Sequence, residues 1–219
     1  MTVTISEKLK VHTVYKNREG IRIPSVTTYL SILNKPALLA WAWTLGTQGI
    51  DYKAFRDNAA DIGTLAHAIV VHRLAGETMD YSEYSPADVE KAQVCVEKYV
   101  EWERGHDIEP LILEEPLISE EHQFGGTIDC YALVDSIPTL LDFKTSKGIF
   151  DEMAHQVAAY RHLLIENGYI VESVQILRIG KSPEEGFEVK EIKGLDKHFD
   201  LFLACQKIYE LQKQLRKGG

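Results

Sequence analysis

Residues 125–160 read GGTIDCYALVDSIPTLLDFKTSKGIFDEMAHQVAAY. Two segments within it, 126–134 and 138–145, are rich in Ile, Leu, Val and Thr. They are bounded by Gly, Asp, Ser and Pro, which marks β-strands. From about 150 to 167 the pattern predicts a helix that ends at Asn167-Gly168. Strand alternation puts Thr127, Asp129 and Tyr131 on one face of the first strand, and Leu140, Asp142 and Lys144 on one face of the second. Paired as a hairpin, the strands let Asp129 and Asp142 converge. An unpaired ion in a buried strand costs several kcal/mol, so these groups are expected to pair or to bind a metal. Two close carboxylates also repel unless a cation sits between them. An exposed Asp142–Lys144 pair on a sheet edge is the alternative. The apolar neighbours Leu140, Leu141 and Phe143 weigh against it, as does the preceding run Gly125-Gly126-Thr127-Ile128-Asp129.

Outward from this stretch, segments 110–118, 174–180 and 186–192 have the same texture and make five strands in all. Upstream, residues 11–23 read as a hairpin turning at Asn17-Arg18-Glu19-Gly20. Ser25 can cap a short helix through Leu33, and Pro36 to Leu45 is a Leu/Trp/Ala-rich helix. Residues 51–75 form a helix whose apolar face is Ile62, Leu65, Ala66, Ile69, Val70 and Leu74. Residues 76–86 read as a loop, 87–104 as a second amphipathic helix and 195–216 as an amphipathic C-terminal packing helix. The order is helices, strand meander, then strand–helix–strand. It predicts a single α/β domain over 1–219: a mainly helical wall with an N-terminal hairpin (1–109), a sheet core (110–192) and a C-terminal helix (193–219).

The chain has 219 residues, 45% hydrophobic and 26% charged, with a formal net charge of −9. That composition is ordinary for a globular protein and too apolar for a disordered one. The longest apolar run, Ala37 to Trp43, falls far short of the ~20 residues of a membrane span. The N-terminus has no apolar core, so no secretory signal is expected and no membrane partner. Cys95, Cys130 and Cys205 are scattered, with no C-x-x-C. A zinc ribbon or Cys-ligated iron–sulfur cluster is therefore not expected, and free thiols fit a reducing cytoplasm. P-loop, Rossmann and hydrolase-elbow signatures are absent.

Four short motifs occur in order: Gly63-Thr64-Leu65-Ala66-His67, Gly126-Thr127-Ile128-Asp129, Asp142-Phe143-Lys144, and Gln156-Val157-Ala158-Ala159-Tyr160. Any one is weak, but the ordered set resembles the PD-(D/E)XK nuclease superfamily, in its RecB-like exonuclease branch. The resemblance covers roughly residues 60–165. The stretch PSVTTYLSILNKPALLAWAW is similar to phage-encoded members. Some relatives hold an iron–sulfur cluster on four cysteines, which this chain lacks.

The resemblance implies a restriction-endonuclease-like fold, a mixed central β-sheet flanked by helices, and a catalytic set of Asp129, Asp142, Lys144, Gln156 and Tyr160. Asp129, Asp142 and the backbone carbonyl of Phe143 would ligate Mg²⁺, with Mn²⁺ substituting, because hard cations take oxygen ligands. Lys144 would orient or deprotonate the attacking water. His67 would be a further ligand or would orient one; its rival reading is a core or surface histidine. His72 is about 140° around the helix from His67, so the two do not form a ligand pair. Gln156 and Tyr160 share a helix face, to hold the site or touch the DNA backbone, with ordinary packing as the alternative. Glu114, in an E-x-P-hydrophobic strand, would be another ligand, although Glu115 is adjacent and the register open. Thr64, Thr145, Ser146 and Lys147 would contact nucleic acid. Trp41 and Trp43 read as core, with base stacking as the alternative.

The implied activity is metal-dependent DNA cleavage from ends, single- or double-stranded, in recombination, repair or replication, in a bacterial or phage-infected cell. A homo-oligomer or a replication or recombination partner protein would fit. Rival readings are a non-cleaving nucleic-acid- or partner-binding module on the same fold, an RNA nuclease, and a hydrolase of small phosphoesters. The acidity opposes nucleic-acid binding, but it is concentrated: residues 77–122 hold 14 acidic and 3 basic residues, a net of −11. The remainder is close to neutral. The 77–109 region is thus expected to face away from DNA, or to limit how tightly DNA is held.

Overall fold

A computed structural model of the chain describes residues 13–33, 35–180 and 184–218, and the side chains of all of these but 36, 37 and 54–60. The chain opens with a small hairpin, β1 (Tyr15–Lys16) and β2 (Arg22–Ile23), turning at Asn17–Gly20 as expected. The start of the expected hairpin, 11–12, lies outside the described residues. Helix α1 (Val26–Leu30) is capped by Ser25, whose side chain accepts from the Thr28 amide. It ends at Leu30 instead of Leu33. Helix α2 (Pro36–Thr47) starts on Pro36, where a proline costs no hydrogen bond. Helix α3 (Tyr52–Ala75) and α4 (Pro86–Glu103) follow, the latter capped by Ser85 with Pro86 next.

Five strands, β3 (Ile108–Ser119), β4 (Phe124–Val134), β5 (Ile137–Lys144), β6 (Ser173–Ile179) and β7 (Phe187–Glu191), form one mixed sheet in sequential order. All neighbours are antiparallel except β5 and β6. That parallel pair needs a crossover, which α5 (Asp151–Glu166) supplies. Gly168, at φ +91, stops α5 where Asn167-Gly168 predicted. Helix α6 (Leu195–Lys217) closes the chain.

The sheet buries both faces. On one side, α1, α5 and α6 cover Ile128, Tyr131, Leu140 and Ile176, with Leu163, Leu164 and Phe202 from the helices. On the other, α3 and α4 cover Cys130, Ala132, Leu141, Phe143 and Leu177, with Leu65, Val70, Val96 and Tyr99. The three cysteines are buried and form no disulfide with one another. The described residues therefore form a mixed α/β structure with a five-stranded mixed sheet flanked by helices. No helix among them is long and apolar enough to cross a membrane.

Two expectations need correction. Helix α2 is not a core helix: Leu39 and Trp43 are about three-quarters exposed, at 73% and 75%. Its Leu/Trp/Ala pattern is apolar all round, and the rest of the fold covers little of it. On α3 the buried stripe is Leu65, Ala66, Ala68, Val70 and Val71. Ile62, Ile69 and Leu74 lie at its margin, because α4 and β3 pack against a different strip than periodicity indicated.

Candidate metal centre

The β4–β5 ladder begins at Val134↔Ile137 and ends at Cys130↔Leu141, while β5 continues to Lys144 paired with β6 alone. In the same register Asp129 would stand opposite Asp142. Beyond the last ladder pair, the amide of Phe143 donates to Asp129 Oδ2 at 2.9 Å. A carboxylate thus replaces a backbone acceptor, and the two strands part. A residue's N–H and C=O share one edge of an extended strand, so the Phe143 carbonyl faces the same opening. Alternation holds as predicted on β5: Leu140 joins the α5 side, and Leu141 and Phe143 the α3 side. On β4 it does not: Ile128 and Tyr131 both join the α5 side and Cys130 and Ala132 the α3 side, so Thr127 and Tyr131 do not share the expected face with Asp129 between them. The strand reverses its faces at Asp129, beside the left-handed Glu114.

Three elements add side chains to this opening. His67 on α3 reaches Glu114 on β3, Nε2 to Oε1 at 2.7 Å. One donor atom each from His67, Glu114 and Asp129 lies within 4.8 Å of the others. Glu114 occupies the left-handed region, φ +51. That conformation costs a non-glycine residue about 1–3 kcal/mol, and such strain concentrates at functional sites. It also settles the register: Glu114 turns inward and Glu115 is exposed. Lys144 Nζ lies 2.7 Å from Asp142 Oδ2. Asp142 is fully buried, and apart from that ion pair neither of its oxygens has a hydrogen-bond partner.

Helix α5 contributes Tyr160, whose hydroxyl accepts from Gln156 Nε2 at 2.8 Å. The Tyr160 ring crosses the backbone at Gly126, where a Cβ would lie 2.6 Å from its Cε1. The glycine of one motif thus makes room for the tyrosine of another. Gly125 does the same for Tyr15, whose ring occupies the space an added Cβ would need. Tyr15 also hydrogen-bonds Thr127 Oγ1 at 2.8 Å. Sequence reasoning missed Tyr15. The only signal was the doubled glycine, which marks backbone approached closely without saying by what.

The charges explain why the arrangement is costly. Burial raises the Asp142 carboxyl to about 6; Lys144 opposes the rise and Asp129 adds to it. Burial also raises Asp129, against the pull of His67 and Lys144. For His67, burial works against the charged ring, but Asp129 and Glu114 overcome it and lift its pKa to about 9. Burial likewise disfavours the Lys144 ammonium, yet Asp142 and Asp129 hold its pKa above the ordinary value. Tyr160 is kept neutral by burial and then by the charges of Asp129 and Asp142. Three carboxylates, one ammonium and one imidazolium therefore share a poorly solvated space with a net negative charge. The ligand atoms are hard oxygens with one imidazole, and the Asp142 carboxylate has Lys144 as its one neighbouring donor among the described residues. That set fits a divalent cation such as Mg²⁺ or Mn²⁺.

Of the remaining predicted residues, Thr64 is exposed on α3, three positions before His67. Thr145 and Ser146 follow β5 half-buried, and Lys147 is exposed. Ser146 Oγ donates to the Gly148 carbonyl, so its hydroxyl serves the local turn. His72 lies away from His67, as expected from the helical angle. It lines a recess of about 670 Å³ between α3 and α4 with Ile69, Arg73, Met79, Val96 and Arg104, none of them a motif residue. No protein-family model matches the chain, and no curated protein is detectably similar to it in sequence.

Proposed function

We propose that the chain is a metal-dependent nuclease of the PD-(D/E)XK kind, with the restriction-endonuclease-like arrangement of sheet and helices, cleaving DNA from its ends. One observation carries this reading. The half-buried Asp129 and the fully buried Asp142 face a gap in the sheet beside Lys144, with the oxygens of Asp142 left short of donors. A structural ion pair would satisfy its oxygens; a cation site leaves them open.

Asp129, Asp142 and Glu114 would hold Mg²⁺ or Mn²⁺, with the Phe143 carbonyl completing the oxygen set. When bound, such an ion neutralises charge on the phosphoryl group and makes water a better nucleophile. Lys144, positioned by Asp142, orients the attacking water and stabilises charge that develops on the phosphate. His67 Nε2 can donate to Glu114 or lend a lone pair to a metal, but not both. In the arrangement seen it orients Glu114. Gln156 uses an N–H on the Tyr160 oxygen, leaving the phenolic hydrogen for an acceptor in the site. The preference for ends rests on the His67 helix, which resembles that of the exonuclease branch.

End-labelled linear DNA, circular DNA and RNA, incubated with Mg²⁺, Mn²⁺ or EDTA, test the proposal. Release of short products from linear DNA only with metal is expected, with circular DNA resistant. Lys144→Ala should lower the rate roughly 10²–10⁴-fold, and Asp142→Ala should abolish it. No metal-dependent cleavage, or wild-type rates in both variants, overturns the reading. Cleavage confined to RNA moves it to a ribonuclease.

A further inference from the structure

The C-terminal half of α5 carries a second convergence, on residues that take no part in the proposed cleavage. His162 on α5 meets His122, in the turn joining β3 to β4, with ring centroids 4.9 Å apart and edge-on. Beside each ring stands a carboxylate: Glu121 Oε1 at 3.7 Å from His122 Nε2, and Glu166 Oε2 at 3.5 Å from His162 Nε2. One donor atom from each of Glu121, His122 and His162 lies within 4.8 Å of the others. The Nε2 of His162 is buried with no hydrogen-bond partner. Buried ring nitrogens are ordinarily partnered, so an orphan one calls for a ligand.

The surroundings hold these groups in place. Phe199 of α6 stacks on His162 at 4.2 Å, nearly parallel, and meets His122 edge-on. Gln206 of α6 donates to the His122 carbonyl at 2.6 Å. Glu166 Oε1 accepts the amides of Glu120 and Glu121 at 2.7 and 3.0 Å. Burial, and then His122, lower the His162 pKa. A neutral imidazole is the form that offers a lone pair to a metal.

We propose that Glu121, His122 and His162 form a binding site for a borderline transition-metal cation of the Zn²⁺ class, a clip that fastens the β3–β4 turn to α5. Imidazole with carboxylate suits Zn²⁺, Co²⁺ or Ni²⁺, whereas Mg²⁺ prefers an all-oxygen shell. Tetrahedral zinc with bonds of about 2.0–2.1 Å needs donors about 3.3 Å apart. The exposed Glu121 side chain can close the remaining gap by rotation. The buried cysteines are not competing ligands, since no two of them share a cluster with these histidines.

Zinc bound per chain, counted after dialysis, tests the site in the whole 219-residue chain. His67→Gln/Asp129→Asn serves as the background, so that the cleavage site does not contribute. One equivalent of Zn²⁺ is expected there, with a raised melting temperature and, for Co²⁺, visible absorption of a low-coordinate complex. The same concentration of Mg²⁺ should do neither. Adding His122→Gln or His162→Gln should remove the bound equivalent, and Glu121→Gln should weaken binding about tenfold or more. His162 packs on Phe199, so if its variant does not fold, the Glu121 and His122 variants decide. No zinc in the background protein overturns the proposal. So does zinc retained in full when His122 is replaced.

Discussion

The two ends of the β4–β5 hairpin are built from the same residue types and do opposite things. At the turn end, Asp135 and Ser136 both have positive φ, 50° and 69°, and close a two-residue loop whose twist suits the strands. Asp135 is exposed there. It binds His106 and the Asp107 amide, and those bonds lower its pKa. At the other end Asp129 is half-buried and Asp142 fully buried, their pKa values are raised, and the ladder stops. An aspartate that finds donors reinforces local structure. One left short of donors and water, as Asp142 is, stores free energy that a cation can release. The same sheet thus has a satisfied end that specifies the fold and an unsatisfied end available for chemistry.

The sharpest way to break this contrast is to mutate adjacent residues of β5. Leu141→Ala should cost about 2–5 kcal/mol in urea unfolding, because a fully buried side chain leaves a cavity. Asp142→Asn should cost less than about 1 kcal/mol, or stabilise the metal-free protein, while removing cleavage. A loss above about 2 kcal/mol would make Asp142 a structural ion-pair partner. Metal should act at the open end alone. Mg²⁺ at a hundredfold excess over its dissociation constant should add about 2.7 kcal/mol to wild type. Asp129→Asn and Asp142→Asn should show almost none of this gain, whereas Asp135→Asn should keep it.

Acid should separate the ends by sign. In metal-free protein the native state takes up a proton at Asp142 as pH falls through about 6, above its unfolded value of 3.8. That group's contribution therefore increases on acidification. Asp135 is the reverse: its contribution is present above 3.8 and is lost as pH falls through its depressed native value. Urea midpoints measured in EDTA across this range should lose the first slope in Asp142→Asn and the second in Asp135→Asn. An unchanged slope near pH 6 in Asp142→Asn would count against the buried, donor-poor carboxylate. The smallest effect is expected at Ser136→Gly, which relieves a left-handed conformation and should stabilise by up to about 1 kcal/mol. The equivalent relief at Glu114→Gly should come with loss of the His67 contact, read as loss of cleavage.

Much of this was legible beforehand. The five strands, the helices and the shared face of Leu140, Asp142 and Lys144 follow from periodicity and turn chemistry, which are local. The role of Gly126 was legible only as a motif glycine; that it clears space for the Tyr160 ring depends on how α5 lies on β4. The choice between Glu114 and Glu115 was not legible, because one left-handed residue reverses which side chain faces inward. The exposure of Leu39 and Trp43 was also hidden, since an apolar helix signals burial whether or not a partner element is present.

The amino-acid sequence by itself determined the order of elements, the faces of β5 and the identity of the acidic and basic groups on β4 and β5. It did so because alternation and turn formation depend on neighbours a few residues apart. Only the tertiary structure decided that His67 meets Glu114 across 47 residues, that Tyr15 meets Thr127 across 112, and that His162 meets His122. Those contacts arise from the register of β3 on β4 and the packing of helices on both faces of the sheet. They are set by the whole core, so no short stretch of sequence encodes them.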